Sequence, residues 1–372
     1  MKPPYRHSGE PSDGGALKSV LHALVFLGAL YLFFFSIDLM SAAFKLSGKA
    51  FAERLLNATG DPVAGLILGL LSTSLIQSSS TTTSIVVGLV AAGTLPLRLA
   101  VPMIMGANIG TTVTNTIVSM GHVTRRHEFE RAFAAGTVHD FFNILAVLVL
   151  FPLEIAFHPI EKVALALQSM FVGVGGVKFV SPLKQAVGPL TNSVKEWFPH
   201  PLPLVLIALV LLFVSLSQMV RVMRSAVLSR VEHLFDRILF RNDLSGFLLG
   251  WLLTAVVQSS SATTSIIIPL AGTGVLSIRK IFPYTMGANV GTTITAILAS
   301  FATGNPVAMS AAFAHLVFNA FGIVIFYPLR SLPIGLAQAV GRAAGRSGRS
   351  SALVVVLYVV VFAVPILYLV LS

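Results

Sequence analysis

Gln77-Ser78-Ser79-Ser80 and Gln258-Ser259-Ser260-Ser261 open two stretches, 77–114 and 258–295, that align without a gap over 38 residues with 21 identities. The chain therefore carries one unit twice. Each tetrapeptide divides a mostly apolar segment, Pro62 to Gly93 or Asp243 to Gly274, into arms of roughly 15 residues. Such an arm makes about 22 Å of helix against a hydrocarbon core of about 30 Å. Arms that short do not cross a bilayer singly, so each segment is expected to form a re-entrant helical hairpin with its polar tip near the midplane. Paired polar tips at matched depth point to a transport pathway.

Working outward, hydrophobic residues make up 55% of the chain and charged residues 10%, with a mean hydropathy of +0.87. These values lie outside the soluble globular range and call for an all-α polytopic membrane protein. Candidate spans are Ser19 to Met40, Leu95 to Met120, Ala132 to Phe151, Leu202 to Val222, Ile281 to Phe301, Val307 to Tyr327 and Ala352 to Leu371. The first run is long and lacks a convincing small-x-small site, so it is expected to be retained rather than cleaved. The absence of cysteine excludes disulfides, metal–thiolate sites and thiol redox chemistry.

A net charge of +11 raises the question of nucleic acid, but the basic residues lie between spans rather than in one patch. With a cytoplasmic N-terminus and two re-entrant hairpins, inside segments hold 17 of the 25 Lys and Arg, as the positive-inside rule requires. Each unit then contributes one span, one hairpin and two spans, and three crossings force the second copy to enter inverted. The expected organisation is a cytoplasmic tail (1–18), a first inverted repeat (19–158, hairpin 62–93) and an inter-repeat segment (159–200). A second repeat (201–330, hairpin 243–274) precedes a basic linker and last span (331–372). Pro159 to Leu190 carries Gly173, Gly175 and Gly176 and reads as an interfacial helix or double dip rather than one straight span. Arg221 to Arg241 reads as an amphipathic surface helix, and Gly341 to Ser351 as a basic linker able to meet anionic lipids.

At a hairpin tip the backbone leaves helical geometry and exposes N–H and C=O groups that hydrocarbon cannot satisfy. Ser hydroxyls donate and accept, and a Gln amide does both, so such a tip can hold an anion and a cation together. The helix N-termini near Thr81 and Ala262 favour an oxyanion. Further on, Gly106-Ala107-Asn108-Ile109-Gly110-Thr111-Thr112 and Gly287-Ala288-Asn289-Val290-Gly291-Thr292-Thr293 place two glycines about each Asn. Because Gly disfavours helix by about 1 kcal/mol, each is expected to break its transmembrane helix and expose oxygens suited to sodium. The competing reading is a Gly-x-x-x-Gly packing seam. Thr114 and Thr295 fall on the same face as Thr111 and Thr292. Asp140 faces Leu316 in the matching position of the other copy, so a single buried carboxylate is expected to pair with sodium. His139 and His315 read as core hydrogen-bonding residues, and Asp38 as an interfacial or capping group.

These tetrapeptides, the two Gly-Ala-Asn stretches and Val138-His139-Asp140 with Asn143 resemble the type II sodium-dependent phosphate cotransporters and their bacterial relatives, over roughly Leu30 to Leu329. The resemblance implies sodium-driven uptake of inorganic phosphate by an elevator-like alternating access. It also implies an electrogenic mode through Asp140 and roles for Asn143, Thr292 and Thr295 in sodium or substrate binding. The expected phosphate set is Ser78, Ser79, Ser80, Ser259, Ser260, Ser261, Asn108 and Asn289. The expected sodium set is Gln77, Gln258, Asp140, Asn143, Thr111, Thr114, Thr292 and Thr295. Ala107, Ala288 and Gly136 depart from animal members, and the chain is expected to be a bare transport core, without the long cysteine-bearing loop of animal members or the PhoU-like domain of some bacterial relatives. Expected partners are inorganic phosphate, sodium ions as co-transported cargo, and membrane lipids, with a homodimer left open and nucleic acid excluded. No organic cofactor is expected, and the location is a cell (inner or plasma) membrane. Alternatives are sodium-coupled transport of another oxyanion, or an ion channel. An enzyme is disfavoured, since no Gly-x-Ser-x-Gly elbow occurs.

Overall fold

A computed structural model describes residues 13–111, 113–173, 182–234, 242–354, 356, 357 and 360, and among them the regular structure is helical, with no strand. The elements in order are α1 (Asp13–Leu46), α2 (Gly48–Thr59), α3 (Pro62–Ile76), α4 (Ser79–Ala92), α5 (Leu97–Gly110), α6 (Val113–Ser119) and α7 (Arg126–Phe157). Then come α8 (Pro159–Gly173), α9 (Pro182–Trp197), α10 (Pro201–Leu234), α11 (Asp243–Val257), α12 (Ser260–Gly272), α13 (Ile278–Thr303), α14 (Pro306–Phe326) and α15 (Ser331–Gly345). Among the described residues, four stretches are long and apolar enough to cross a membrane: Val20–Leu46, Arg126–Phe157, Pro201–Met223 and Pro306–Phe326. Within 159–200 the described residues form α8 and α9, with 174–181 outside the described residues. The stretch Arg221 to Arg241 begins as a direct continuation of α10 as far as Leu234, with 235–241 outside the described residues. Most of Ala352 to Leu371 also lies outside them.

Three of the helices, α3, α11 and α14, are started by side chains that satisfy the free N–H groups of a first turn. Asp61 accepts from the Val63 N–H at 3.1 Å ahead of Pro62. Asn242 and Ser245 cap α11 reciprocally, with Asn242 Oδ1 accepting the Ser245 N–H at 2.8 Å and Ser245 Oγ accepting the Asn242 N–H at 3.2 Å. Asn305 accepts from the Val307 N–H at 3.0 Å to start α14.

The expected helix break in the second copy is not found. Helix α13 runs unbroken through Gly287, Asn289 and Gly291, whereas in the first copy α5 ends at Gly110 and α6 starts at Val113, with Thr112 outside the described residues. The glycines are used instead for contact. A Cβ at Gly287 would overlap the Phe247 carbonyl of α11, and one at Gly250 would overlap the Tyr284 carbonyl of α13. Gly106 meets the Leu66 carbonyl and Gly69 the Met103 carbonyl in the same way. Two helix backbones thus touch through reciprocal glycines in each copy, which is the packing seam of small residues. Close contact outweighs the helix propensity that glycine forfeits.

The two copies pack across each other. Helix α4 lies against α13 and α14, while α12 lies against α6 and α7, and α1 runs along α10. The far ends of α4 and α12 are held by the opposite copy. The Asn305 amide donates to the Ala91 carbonyl at 2.7 Å, and the Arg131 guanidinium donates twice to the Gly272 carbonyl, at 2.9 and 2.6 Å. Asp38 lies inside α1 rather than at a helix cap. It is fully buried in α1, ion-paired with Lys184 of α9 and accepting from the Thr191 hydroxyl at 2.7 Å, so it clamps α9 to α1.

Candidate functional site

Both tetrapeptides form the same turn. Helix α3 stops at Gln77 and α11 at Gln258, each in the left-handed region with φ of 58° and 60°. Each backbone N–H still donates to the carbonyl four residues back, Thr73 or Thr254, at 2.7 Å. The next residue swings to extended geometry and caps the following helix: Ser78 Oγ accepts the Thr81 N–H and Ser259 Oγ the Ala262 N–H, both at 3.2 Å. A left-handed residue followed by an extended one reverses the chain in two residues, leaving Ser79 and Ser80, or Ser260 and Ser261, in the first turn of a helix with its N–H groups directed at the tip.

The side chain of each Gln is anchored at both ends. Its amide nitrogen donates back to Ser74 or Ala255, and its oxygen accepts from a hydroxyl of the neighbouring helix, Thr114 at 2.6 Å or Thr295 at 2.7 Å. The environments differ, however. Gln77 is exposed, while Gln258 is only 4% exposed. The tips meet where the Ser80 hydroxyl donates to the Gln258 carbonyl at 3.3 Å, and the Ser261 hydroxyl donates to the carbonyl of Thr111, at the end of α5, at the same distance.

Behind the tips, Asn108, Asn143 and Asn289 form one buried chain. Asn143 donates to the Asn108 carbonyl at 2.7 Å, and Asn289 donates to the Asn143 amide oxygen at 2.8 Å. Three candidate residues separated by up to 181 positions are thereby joined. Thr111 and Thr292 return their hydroxyls to their own helices, at 3.1 Å to Ala107 and 2.6 Å to Asn289, the usual habit of helical threonine. Asp140 is 3% exposed and meets the Thr116 hydroxyl of α6 at 3.5 Å. Beside it Asn115 accepts from Thr264 of α12 at 2.9 Å, and a Cβ at Gly136 would come within 3.0 Å of the Asn115 carbonyl.

Asn115, Thr116 and the two histidines were not among the expected site residues. The polar pair Asn115-Thr116 stands opposite Ala296-Ile297 in the second copy, the same one-sidedness that marks Asp140, and that was the available signal. His139 and His315 face the asparagines directly: His139 Nε2 meets Asn289 Oδ1, and His315 Nε2 meets Asn108 Oδ1 at 3.2 Å.

Comparison with known proteins gives a consistent result. Residues 32–178 and 211–344 match the model of the Na+/Pi-cotransporter family. The chain is 36% identical to the sodium-dependent phosphate transport protein 2A of Rattus norvegicus, over 92% of this chain and 66% of that protein. It is 33% identical to the sodium-dependent phosphate transport protein 2B of Homo sapiens, over 86% of this chain and 61% of that one. The chain thus spans somewhat less than two thirds of the length of these relatives. No solved structure matches.

Proposed function

The chain belongs to the Na+/Pi-cotransporter family, and from that premise we propose that it is a secondary transporter coupling sodium entry to uptake of inorganic phosphate across a cell membrane. The observation that carries this reading is the meeting of the two tetrapeptide tips through Ser80 on the Gln258 carbonyl, with Ser261 on the carbonyl of Thr111 at the end of α5 in the other copy. Phosphate is bound between the tips by the hydroxyls of Ser78, Ser79, Ser80, Ser259, Ser260 and Ser261, by the N–H groups of the α4 and α12 first turns, and by Asn108 and Asn289. Helix N-termini supply oriented donors and positive potential, which is what a tetrahedral oxyanion requires.

Sodium is held by oxygens. Gln77 with Thr114, and Gln258 with Thr295, already bring amide and hydroxyl oxygens within 2.7 Å of each other. Thr111, Thr292 and Asn143 add further oxygens to the same region, and Asp140 supplies the one unmatched carboxylate. Its formal charge, with no counterpart at Leu316, is the basis for an electrogenic cycle. In this reading α3–α4 and α11–α12 are re-entrant hairpins of two inverted repeats. The exposure of Gln77 against the burial of Gln258 is the asymmetry expected of a state open to one side, and exchange of those environments in an elevator-like movement gives alternating access.

The test is uptake of radiolabelled phosphate into proteoliposomes under an inward sodium gradient, with potassium replacement as the control. Sodium-dependent uptake, reduced by excess arsenate, is the expected result. Uptake that is equal in sodium and potassium would refute sodium coupling, and sodium-driven uptake of sulfate or a carboxylate in place of phosphate would reassign the substrate.

A further inference from the structure

Three amides and two imidazoles between the copies have orientations that their partners alone fix, without hydrogen positions. The Asn143 amide contacts the Asn108 backbone carbonyl at 2.7 Å. A carbonyl only accepts, so the contacting atom is the Asn143 nitrogen and its oxygen points the other way. That oxygen is met at 2.8 Å by Asn289, so Asn289 presents nitrogen there and oxygen to His139. Asn108 is fixed independently, since its nitrogen donates to the Ile104 carbonyl at 2.8 Å and its oxygen faces His315 at 3.2 Å. Both histidines must then donate from Nε2. Each is at most 1% exposed, and each Nδ1 lacks a hydrogen-bond partner among the described residues.

We infer that His139 and His315 are positioning residues for phosphate, each pinning the amide oxygen of the asparagine contributed by the opposite copy so that the amide can offer an anion only its N–H hydrogens. The pairs are crossed: His139 with Asn289, 150 residues apart, and His315 with Asn108, 207 residues apart. An asparagine free to rotate could turn its oxygen toward an anion and repel it, or toward sodium and bind it. With the oxygen engaged by an imidazole N–H and one amide hydrogen engaged by the Ile104 carbonyl or by Asn143 Oδ1, the second amide hydrogen is left to donate to phosphate. The inference rests on the reading of Asn108 and Asn289 as phosphate-binding groups. It gives the histidines a part in substrate selection that burial in a core would not require.

The test is a double-mutant cycle in the full chain, reading the KM and Vmax for phosphate in proteoliposomes and the melting temperature of each purified variant without phosphate. His315→Met removes the donor and His315→Gln keeps an N–H near the Nε2 position. Expected are a KM raised roughly tenfold by methionine with little change in Vmax, and near-normal KM with glutamine. In an Asn108→Ala background, His315→Met should add nothing, whereas His139→Met should still act, because Asn108→Ala leaves the backbone carbonyl on which the other chain ends. The same pattern should hold for His139 with Asn289. Should methionine prevent folding, His315→Asn, whose amide reaches only the Nδ1 position, takes its place with the same expected KM. Multiplicative effects of His315→Met and Asn108→Ala, or glutamine behaving as methionine, would overturn the inference while leaving the phosphate site standing. Unchanged KM in both asparagine variants, with coupling seen only in melting temperature, would overturn the asparagine assignment as well and reduce the histidines to a packing clamp.

Discussion

Gln77 and Gln258 hold a left-handed backbone that glycine would adopt with less strain, and they keep side chains that bind Thr114 and Thr295. Gln258→Gly should therefore be more stable than Gln258→Ala by about 1 kcal/mol, measured by thermal unfolding, yet both should lose at least roughly tenfold in sodium-dependent uptake. A glycine variant that transports normally would remove the side chain from the site. Asp140→Gly should lower the charge carried per phosphate by about one elementary charge, measured as current against tracer uptake, and an unchanged ratio would exclude Asp140 from the sodium path. The two matching turns at Gln77-Ser78 and Gln258-Ser259 were legible in the sequence because the chain repeats them, so their spacing could be checked against itself. The roles of His139 and His315 were not, since each is defined by a partner at least 150 residues away and a lone histidine in an apolar run carries no sign of which amide it will meet. Asp38 misled for the same reason. Its cation, Lys184, lies 146 residues on, and local pattern alone made it a capping group.

At the scale of elements, the short arms were readable from length alone: helices of 13 to 15 residues on either side of a polar turn follow from where the apolar runs stop. The helix break at Gly287–Gly291 was misread because propensity is a local quantity. Gly is costly in an isolated helix, but here it lets α13 rest on the carbonyls of Phe247 and Trp251 in α11, and no local scale contains that term. The seam makes a sharp prediction. Gly287→Ala forces a methyl into the Phe247 carbonyl and should destabilise the protein by about 3 kcal/mol or prevent folding, measured by thermal unfolding in detergent. Gly28→Ala, at a position with nothing within 4 Å, should be neutral or slightly stabilising. If both are tolerated equally, the two helices do not touch through their glycines.

At the scale of the molecule, duplication and membrane residence were legible from composition and repetition, and the family match agrees with them. The way the copies embrace was not legible: α4 against α14 and α12 against α7, with Asn305 on Ala91 and Arg131 on Gly272, are contacts between residues more than a hundred positions apart that no periodicity encodes. This crossing brings both tips to one place, and the difference in burial between Gln77 and Gln258 shows that the place is not symmetric. The central claim is that the tips exchange environments as sodium and phosphate are carried. Because the chain has no cysteine, Ser80→Cys and Ser261→Cys can each be introduced as the only thiol and probed from either side of the membrane with an impermeant reagent, with and without sodium. The account predicts that the side from which each thiol is labelled shifts when sodium is added or removed. One-sided labelling that is identical under every sodium condition would contradict it.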